Sequence, residues 1–171
     1  WHNSSLFMNN LEASKNYCTL YIIRHGETEW NAAKIVMGQK DSPLTKDGVN
    51  QAHSIKNSLA HIVFDAAYSS DLPRAKKTAE IVLNERPVSL TLFPLLRERT
   101  YGQYEGTSAE EYKKIMASRS EERATLEGTA RLAFKFADDI ESDLELNARF
   151  IKAVQDIAKD NLGKTILLAT H

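Results

Sequence analysis

Cysteine is nearly missing from this sequence. Cys18 stands alone, so no disulfide can close within the chain and no cysteine-rich zinc site can be built. Long apolar runs are missing as well, and nothing reaches the roughly 20 residues that a membrane-crossing helix needs. The start of the chain, polar apart from Leu6, Phe7 and Met8 once Trp1 is passed, lacks the basic region and apolar stretch of a signal peptide. An excess of either charge is absent too. With 22 Lys and Arg against 23 Asp and Glu the net charge is −1, which leaves no overall field to draw in nucleic acid or an acidic membrane. These absences point to a cytoplasmic protein that binds neither nucleic acid nor membrane, and any affinity for an anion must come from a local cluster. The 171 residues, 42% of them hydrophobic, suit one compact domain. It is expected over residues 17–171, behind a disordered or tag-like segment 1–16 in which Met8 is a candidate natural start.

What is present is an alternation of strand and helix patterns. Thr19 to Ile23 is the β-branched and aromatic run of a buried parallel strand, and it stops at Arg24-His25-Gly26. Ser42-Pro43-Leu44-Thr45 reads as a turn in which Thr45 caps a helix running to about His61, with Val49, Ala52, Ile55 and Leu59 at helical spacing. Phe64 to Ser69 reads as a second strand. Asp71-Leu72-Pro73 then opens a helix that turns Ala75, Ala79, Val82 and Leu83 inward, with Asp71 as its cap and Pro73 in the tolerated first turn. Val88 to Leu92 reads as a third strand and Arg97 to Gly106 as a structured loop. Ser108 and Glu111 have capping-box spacing for a helix through Met116, within a helical insertion over about 107–144. A last helix carries Leu146, Phe150, Val154 and Ile157, and Thr165 to Ala169 forms a fourth strand before Thr170-His171. The pattern predicts an α/β fold, a three-layer α/β/α sandwich around a mostly parallel sheet.

Three of these strands end on polar groups: Arg24 and His25 after the first, Asp71 and Arg74 after the second, His171 after the fourth. The carboxyl edge of an open α/β sheet is where ligands bind, so these groups can converge there. Arginines offer paired donors that match phosphate oxygens, and Arg74 lies in the first turn of a helix, whose free N–H groups favour an anion. Taken singly, each has a plainer explanation. A histidine after a strand is more often a satisfied or solvent-facing residue, and Arg74 alone would be a helix-surface charge.

The run Arg24-His25-Gly26-Glu27-Thr28-Glu29-Trp30-Asn31 resembles the signature of the histidine phosphatase superfamily, which includes cofactor-dependent phosphoglycerate mutases and their phosphatase relatives. The resemblance continues, in the family's order, through Gly38-Gln39, Asp41 to Thr45, Gly48, Ser69 to Leu72, Arg74-Ala75, Thr78-Ala79, Arg97 to Gly102, Glu105-Gly106 and His171. It implies that His25 is the nucleophile and Glu98 the proton donor. Arg24, Arg74, His171 and Asn31 are then phosphate contacts, with His171 part of the catalytic set; Gly38 and Tyr101 are candidates for substrate binding. It implies a small phosphorylated substrate and a phosphohistidine formed without metal, the arginines supplying the positive charge. No resident cofactor is expected, apart from 2,3-bisphosphoglycerate for priming if the chain is a mutase. One condition attaches to Glu98: Arg97 and Arg99 flank it, and a proton donor requires those cations to point elsewhere.

The resemblance leaves three activities open. Mutases of the family carry a longer insertion with paired arginines for the substrate carboxylate, whereas here Lys113, Lys114, Arg119 and Arg123 include no adjacent Arg-Arg pair. That favours phosphomonoester hydrolysis, with phosphoglycerate mutase as the alternative because Glu98 to Gly102 resembles the mutase form of the motif, and a noncatalytic phosphate-binding module as a third. Elsewhere the plain readings stand. His53 and His61, eight positions apart, are expected at the surface, Trp30 and Tyr104 in ordinary packing, and Asp138, Asp139, Glu141, Asp143 and Glu145 on a solvated face. The chain stops at His171, where the family continues with a glycine and further helix and strand. The sandwich is therefore expected to be truncated at its C-terminus and less active than an extended form.

Overall fold

The computed structural model describes residues 16–171, so the expectations placed on residues 1–15 lie outside the described residues. Four strands form one sheet: β1 (Thr19–Arg24), β2 (Ala66–Ser69), β3 (Leu90–Leu92) and β4 (Thr165–Thr170). Their order is β1-β4-β2-β3 and every pairing is parallel, with Ile23 opposite Ala169 and Ser69 also opposite Ala169. The last strand thus enters between the first and second, which makes β4 the most buried strand and puts its end beside the ends of both neighbours.

Alternation along β4 divides the core in two. Leu167 faces one side with Phe64, Ala67, Val82 and Leu83, while Ile166 and Leu168 face the other with Leu96, Ala153 and Ile157. Helices α2 (Lys46–Ser58) and α3 (Pro73–Leu83) cover the first face, and α7 (Asp143–Asp160) covers the second, giving the expected α/β/α layering. Thr45 caps α2 by accepting from Gly48 N at 2.9 Å, and Ser142 caps α7 in a reciprocal box with Glu145. The insertion is three short helices, α4 (Ala109–Ile115), α5 (Ala117–Ala124) and α6 (Gly128–Ala133), with Ser108 capping the first. No helix among the described residues is long and apolar enough to cross a membrane.

The structure corrects several local readings. A short helix, α1 (Glu29–Ala32), forms within the Arg24 to Asn31 run because Thr28 and Asn31 cap each other. Strand β2 begins at Ala66, since Phe64 leaves the strand to fill the core against Tyr21. Asp71 does not cap α3: the capping position is Leu72, which has no capping side chain, and Asp71 is taken by Arg97. The acidic group is solvated only in part: Asp138, Asp139 and Glu145 are exposed, but Glu141 and Asp143 are half-buried. Glu141 pairs with Arg149, Asp143 with both Arg99 and Arg123, Glu145 with Lys135, and Asp139 accepts from Gln103 N.

Two apolar strand residues should separate under truncation. Leu168→Ala, at 0% exposure, is expected to cost about 2–5 kcal/mol. Ile22→Ala, on the outer strand at 52% exposure, should cost no more than about 1 kcal/mol. Urea unfolding of both variants checks this, and similar costs at the two positions would contradict the burial pattern.

Candidate active site

The loop after β1 carries His25 into a buried position, 7% exposed. It is seated by backbone contact, for a Cβ on Gly26 would lie 2.4 Å from Gly48 O, and one on Gly48 would lie 2.0 Å from Glu27 O. Gly26 N donates to Thr78 Oγ1 at 3.0 Å, and Thr78 in turn donates to Arg74 O at 2.8 Å. The Gly26 carbonyl, held in place in this way, lies 2.8 Å from His25 Nδ1. A carbonyl only accepts, so Nδ1 carries the proton and Nε2 presents a lone pair. Burial, helped by Arg74 and Arg24, depresses the His25 pKa from 6.5 to about 4 and keeps the imidazole neutral near pH 7.

Around it lies a cavity of about 210 Å³ lined by Arg24, His25, Asn31, Gly38, Arg74, Glu98 and Tyr101 among others. Seven of the eight residues expected to form the site therefore meet in one space. His171, the eighth, lies beside it with its ring centroid 5.2 Å from that of His25. The α1 cap uses the Asn31 carbonyl oxygen, which accepts from Thr28 N at 3.1 Å, so the amide NH₂ is left as its donor.

Arg74 is 2% exposed and heavily committed. Its Nη2 donates to Gly38 O at 2.7 Å and its Nη1 to Lys40 O at 2.8 Å and Asp41 Oδ1 at 3.1 Å. Asp41 also accepts from Arg74 N at 3.3 Å, so the anion at the start of α3 is a resident carboxylate. Among the described residues only two buried side-chain nitrogens have no hydrogen-bond partner, Arg74 Nε and His171 Nδ1, and both belong to this site. Burial first, then Arg74 and His25, depress the His171 pKa to about 2, so this ring is neutral too.

The two guanidinium groups that flank Glu98 in sequence point to other carboxylates, while Glu98 Oε1 accepts from Arg99 N at 2.7 Å. Arg97 turns away and grips Asp71 through two bonds of 2.7 and 2.5 Å, which raises the Arg97 pKa and lowers that of Asp71. Arg99 is bound to Asp143. The Glu98 backbone is clamped by Arg149, whose guanidinium also holds the carbonyls of Leu95 and Arg97 and the Glu141 carboxylate. Tyr101, its pKa raised by burial and then by Glu98, remains a phenol. His53 and His61 are exposed, as expected.

Several supporting residues were not singled out from sequence. Arg149 lies within an amphipathic helix and reads there as a surface charge. Glu105 is 8% exposed and receives the N–H groups of Gln39, Lys40 and Tyr101, which organises the loop that holds Arg74. Gly38, with φ 59°, is where that loop passes Glu105, and a Cβ there would lie 2.1 Å from Glu105 Oε1. Only the motif positions of Asp41 and Glu105 hinted at them. Arg99 and Arg123, 24 positions apart, converge on Asp143, a spatial pair that adjacency in sequence does not reveal.

Comparison with known proteins gives a consistent result. A model of the histidine phosphatase superfamily (branch 1) matches residues 20–171. The protein named probable phosphoglycerate mutase GpmB from Yersinia pestis (strain Pestoides F) is 32% identical over 159 residues, 89% of this chain and 68% of that protein. A crystal structure of phosphoglycerate mutase from Bacillus anthracis str. Sterne superposes with a TM-score of 0.82 at 27% identity, over 94% of this chain and 77% of that one. Phosphoserine phosphatase from Entamoeba histolytica, solved with 3-phosphoglyceric acid, gives a TM-score of 0.72 at 29% identity, over 90% and 74% of the two chains.

The depressed His25 pKa has a thermodynamic consequence. Between pH 6.5 and about 4 the unfolded chain takes up a proton at this ring and the folded one does not, so stability is lost as the pH falls through that window. Urea unfolding at pH 7 and pH 5 should show a smaller loss for His25→Asn than for the unaltered chain. Equal losses would mean that His25 is not held neutral.

Proposed function

The chain belongs to the histidine phosphatase superfamily, and from that premise we propose that it hydrolyses small phosphomonoesters through a phosphohistidine at His25. The observation that carries this reading is the pair of buried nitrogens without partners, Arg74 Nε and His171 Nδ1, beside a neutral His25 whose Nε2 is unprotonated. An orphaned buried polar group costs about 1–3 kcal/mol, and a phosphoryl oxygen is a matching acceptor for a guanidinium N–H.

The steps follow from the residues. His25 Nε2 attacks phosphorus opposite the ester oxygen, an N–P bond forms as the P–O bond breaks, and Arg24, Arg74, Asn31 and His171 stabilise charge on the equatorial oxygens. Glu98, protonated at the start, gives its proton to the departing alkoxide. As a carboxylate it then takes a proton from the water that attacks phosphorus, releasing phosphate and free His25. The guanidinium groups of Arg97 and Arg99 are each bound to another carboxylate, which supports this role.

Phosphoglycerate mutase is the second reading, favoured by the names of the relatives at 32% and 27% identity. It would need a grip on the substrate carboxylate and 2,3-bisphosphoglycerate to prime His25. The convergent arginines Arg99 and Arg123 are already occupied by Asp143, which supports hydrolysis instead. The expected partner is a small phosphorylated molecule, and neither reading calls for a metal.

His25→Ala should abolish hydrolysis of p-nitrophenyl phosphate, and activity at the parental rate would end the nucleophile assignment. Glu98→Gln should cut kcat by about 10²-fold or more on glycerol phosphate, whose alkoxide needs a proton, and far less on p-nitrophenyl phosphate, whose leaving group does not. Equal losses on the two esters would remove Glu98 as proton donor. Interconversion of phosphoglycerates that outpaces hydrolysis, in the presence of 2,3-bisphosphoglycerate, would decide for the mutase.

A further inference from the structure

The ends of β2 and β4 are joined by one side-chain contact that the proposed reaction does not use. Ser70 follows β2 and is 0% exposed, and its Oγ lies 2.9 Å from His171 Nε2 at the end of β4. The same Oγ accepts from Leu72 N at 3.3 Å, and Ser70 N is bound to Ala169 O at 3.0 Å, so the residue is held from both sides.

The distance alone allows either partner to donate. If His171 Nε2–H donated, Ser70 Oγ would accept twice and its own hydroxyl proton, buried, would have no acceptor. If Ser70 donates, its hydroxyl is fully used: it accepts from Leu72 N–H and gives its proton to Nε2, leaving the ring proton on Nδ1. Nδ1 is then a buried N–H, the kind of group that an anion oxygen can accept from, rather than a lone pair that would repel one.

We infer that Ser70 is a positioning residue that fixes His171 as the Nδ1–H tautomer, so that the ring meets an anion as a hydrogen-bond donor. The tautomer does not depend on the proposed phosphatase activity. Its use as a donor to phosphate rests on that reading. Both His171 and His25 then hold their protons on Nδ1, but through different partners: the acceptor of a carbonyl bond fixes His25, and the donor of a hydroxyl bond fixes His171.

Side-chain ¹⁵N NMR of the uniformly labelled chain at neutral pH reads the tautomer directly, with His171→Gln used to assign the resonances. Nε2 of His171 is expected to be pyridine-type and Nδ1 pyrrole-type. In Ser70→Ala the proton should shift toward Nε2, and competitive inhibition by inorganic phosphate should weaken by roughly tenfold, the value of one hydrogen bond to a charged group. A cooperative urea-unfolding transition of Ser70→Ala would show that the variant has folded. A pyrrole-type Nε2 in the unaltered chain, or a tautomer that does not move in Ser70→Ala, would overturn the inference. If the tautomer behaves as stated while no phosphate ester is hydrolysed, the inference stands and the phosphatase reading falls.

Discussion

A guanidinium with almost no access to water dominates the energetics of this site. Removing a charged group from water costs several kcal/mol unless other dipoles and charges replace the lost hydration. Around Arg74 that replacement comes from two carbonyls, Gly38 and Lys40, and one carboxylate, Asp41. None of the three is on the helix that carries the arginine. The loop from Gly38 to Asp41 must therefore fold back over α3, and it is Glu105, 64 positions beyond Asp41, that gathers the loop's N–H groups and holds it there. The cation is pinned before any ligand arrives, so little reorganisation is left for binding to pay for.

The same economy governs the carboxylates. Glu98 sits between two arginines in sequence. Asp71 and Asp143 draw those arginines off, and Arg149 fixes the backbone between them. Residues that look like decoration, an apparent helix cap and part of an acidic patch, in fact set the electrostatic surroundings of Glu98, the carboxyl that shares a cavity with His25 and Arg74. Ser70 does for His171 what the Gly26 carbonyl does for His25, choosing which ring nitrogen carries the proton.

Much of the architecture could be read in advance because it rests on short-range patterns. The β-branched run at β1, the Thr45 cap, the inward stripe of Ala75, Ala79, Val82 and Leu83, and the apolar face of α7 each reflect local backbone preference and one-sided burial, which periodicity records. Apart from the short helix α1, which its own Thr28 and Asn31 cap, the misread side chains are those where a distant partner overrode the local signal. Asp71 has the composition of a cap and the geometry of an ion pair, and Glu141 and Asp143 are tied to arginines that no sequence spacing relates to them.

Motif order along the chain was enough to single out His25, Arg24, Arg74 and Glu98, four residues that line one cavity, since residue types in a fixed order survive without coordinates. The chain's own chemistry, one cysteine and balanced charge, also excluded a disulfide within it and a global pull on polyanions. What only tertiary structure decided was the state of those residues: which arginines are already occupied, which imidazole nitrogen bears the proton, and which buried donors lack a partner. Those properties depend on desolvation and on hydrogen bonds between segments brought together by the β1-β4-β2 pairing, and neither quantity is defined until the chain has folded.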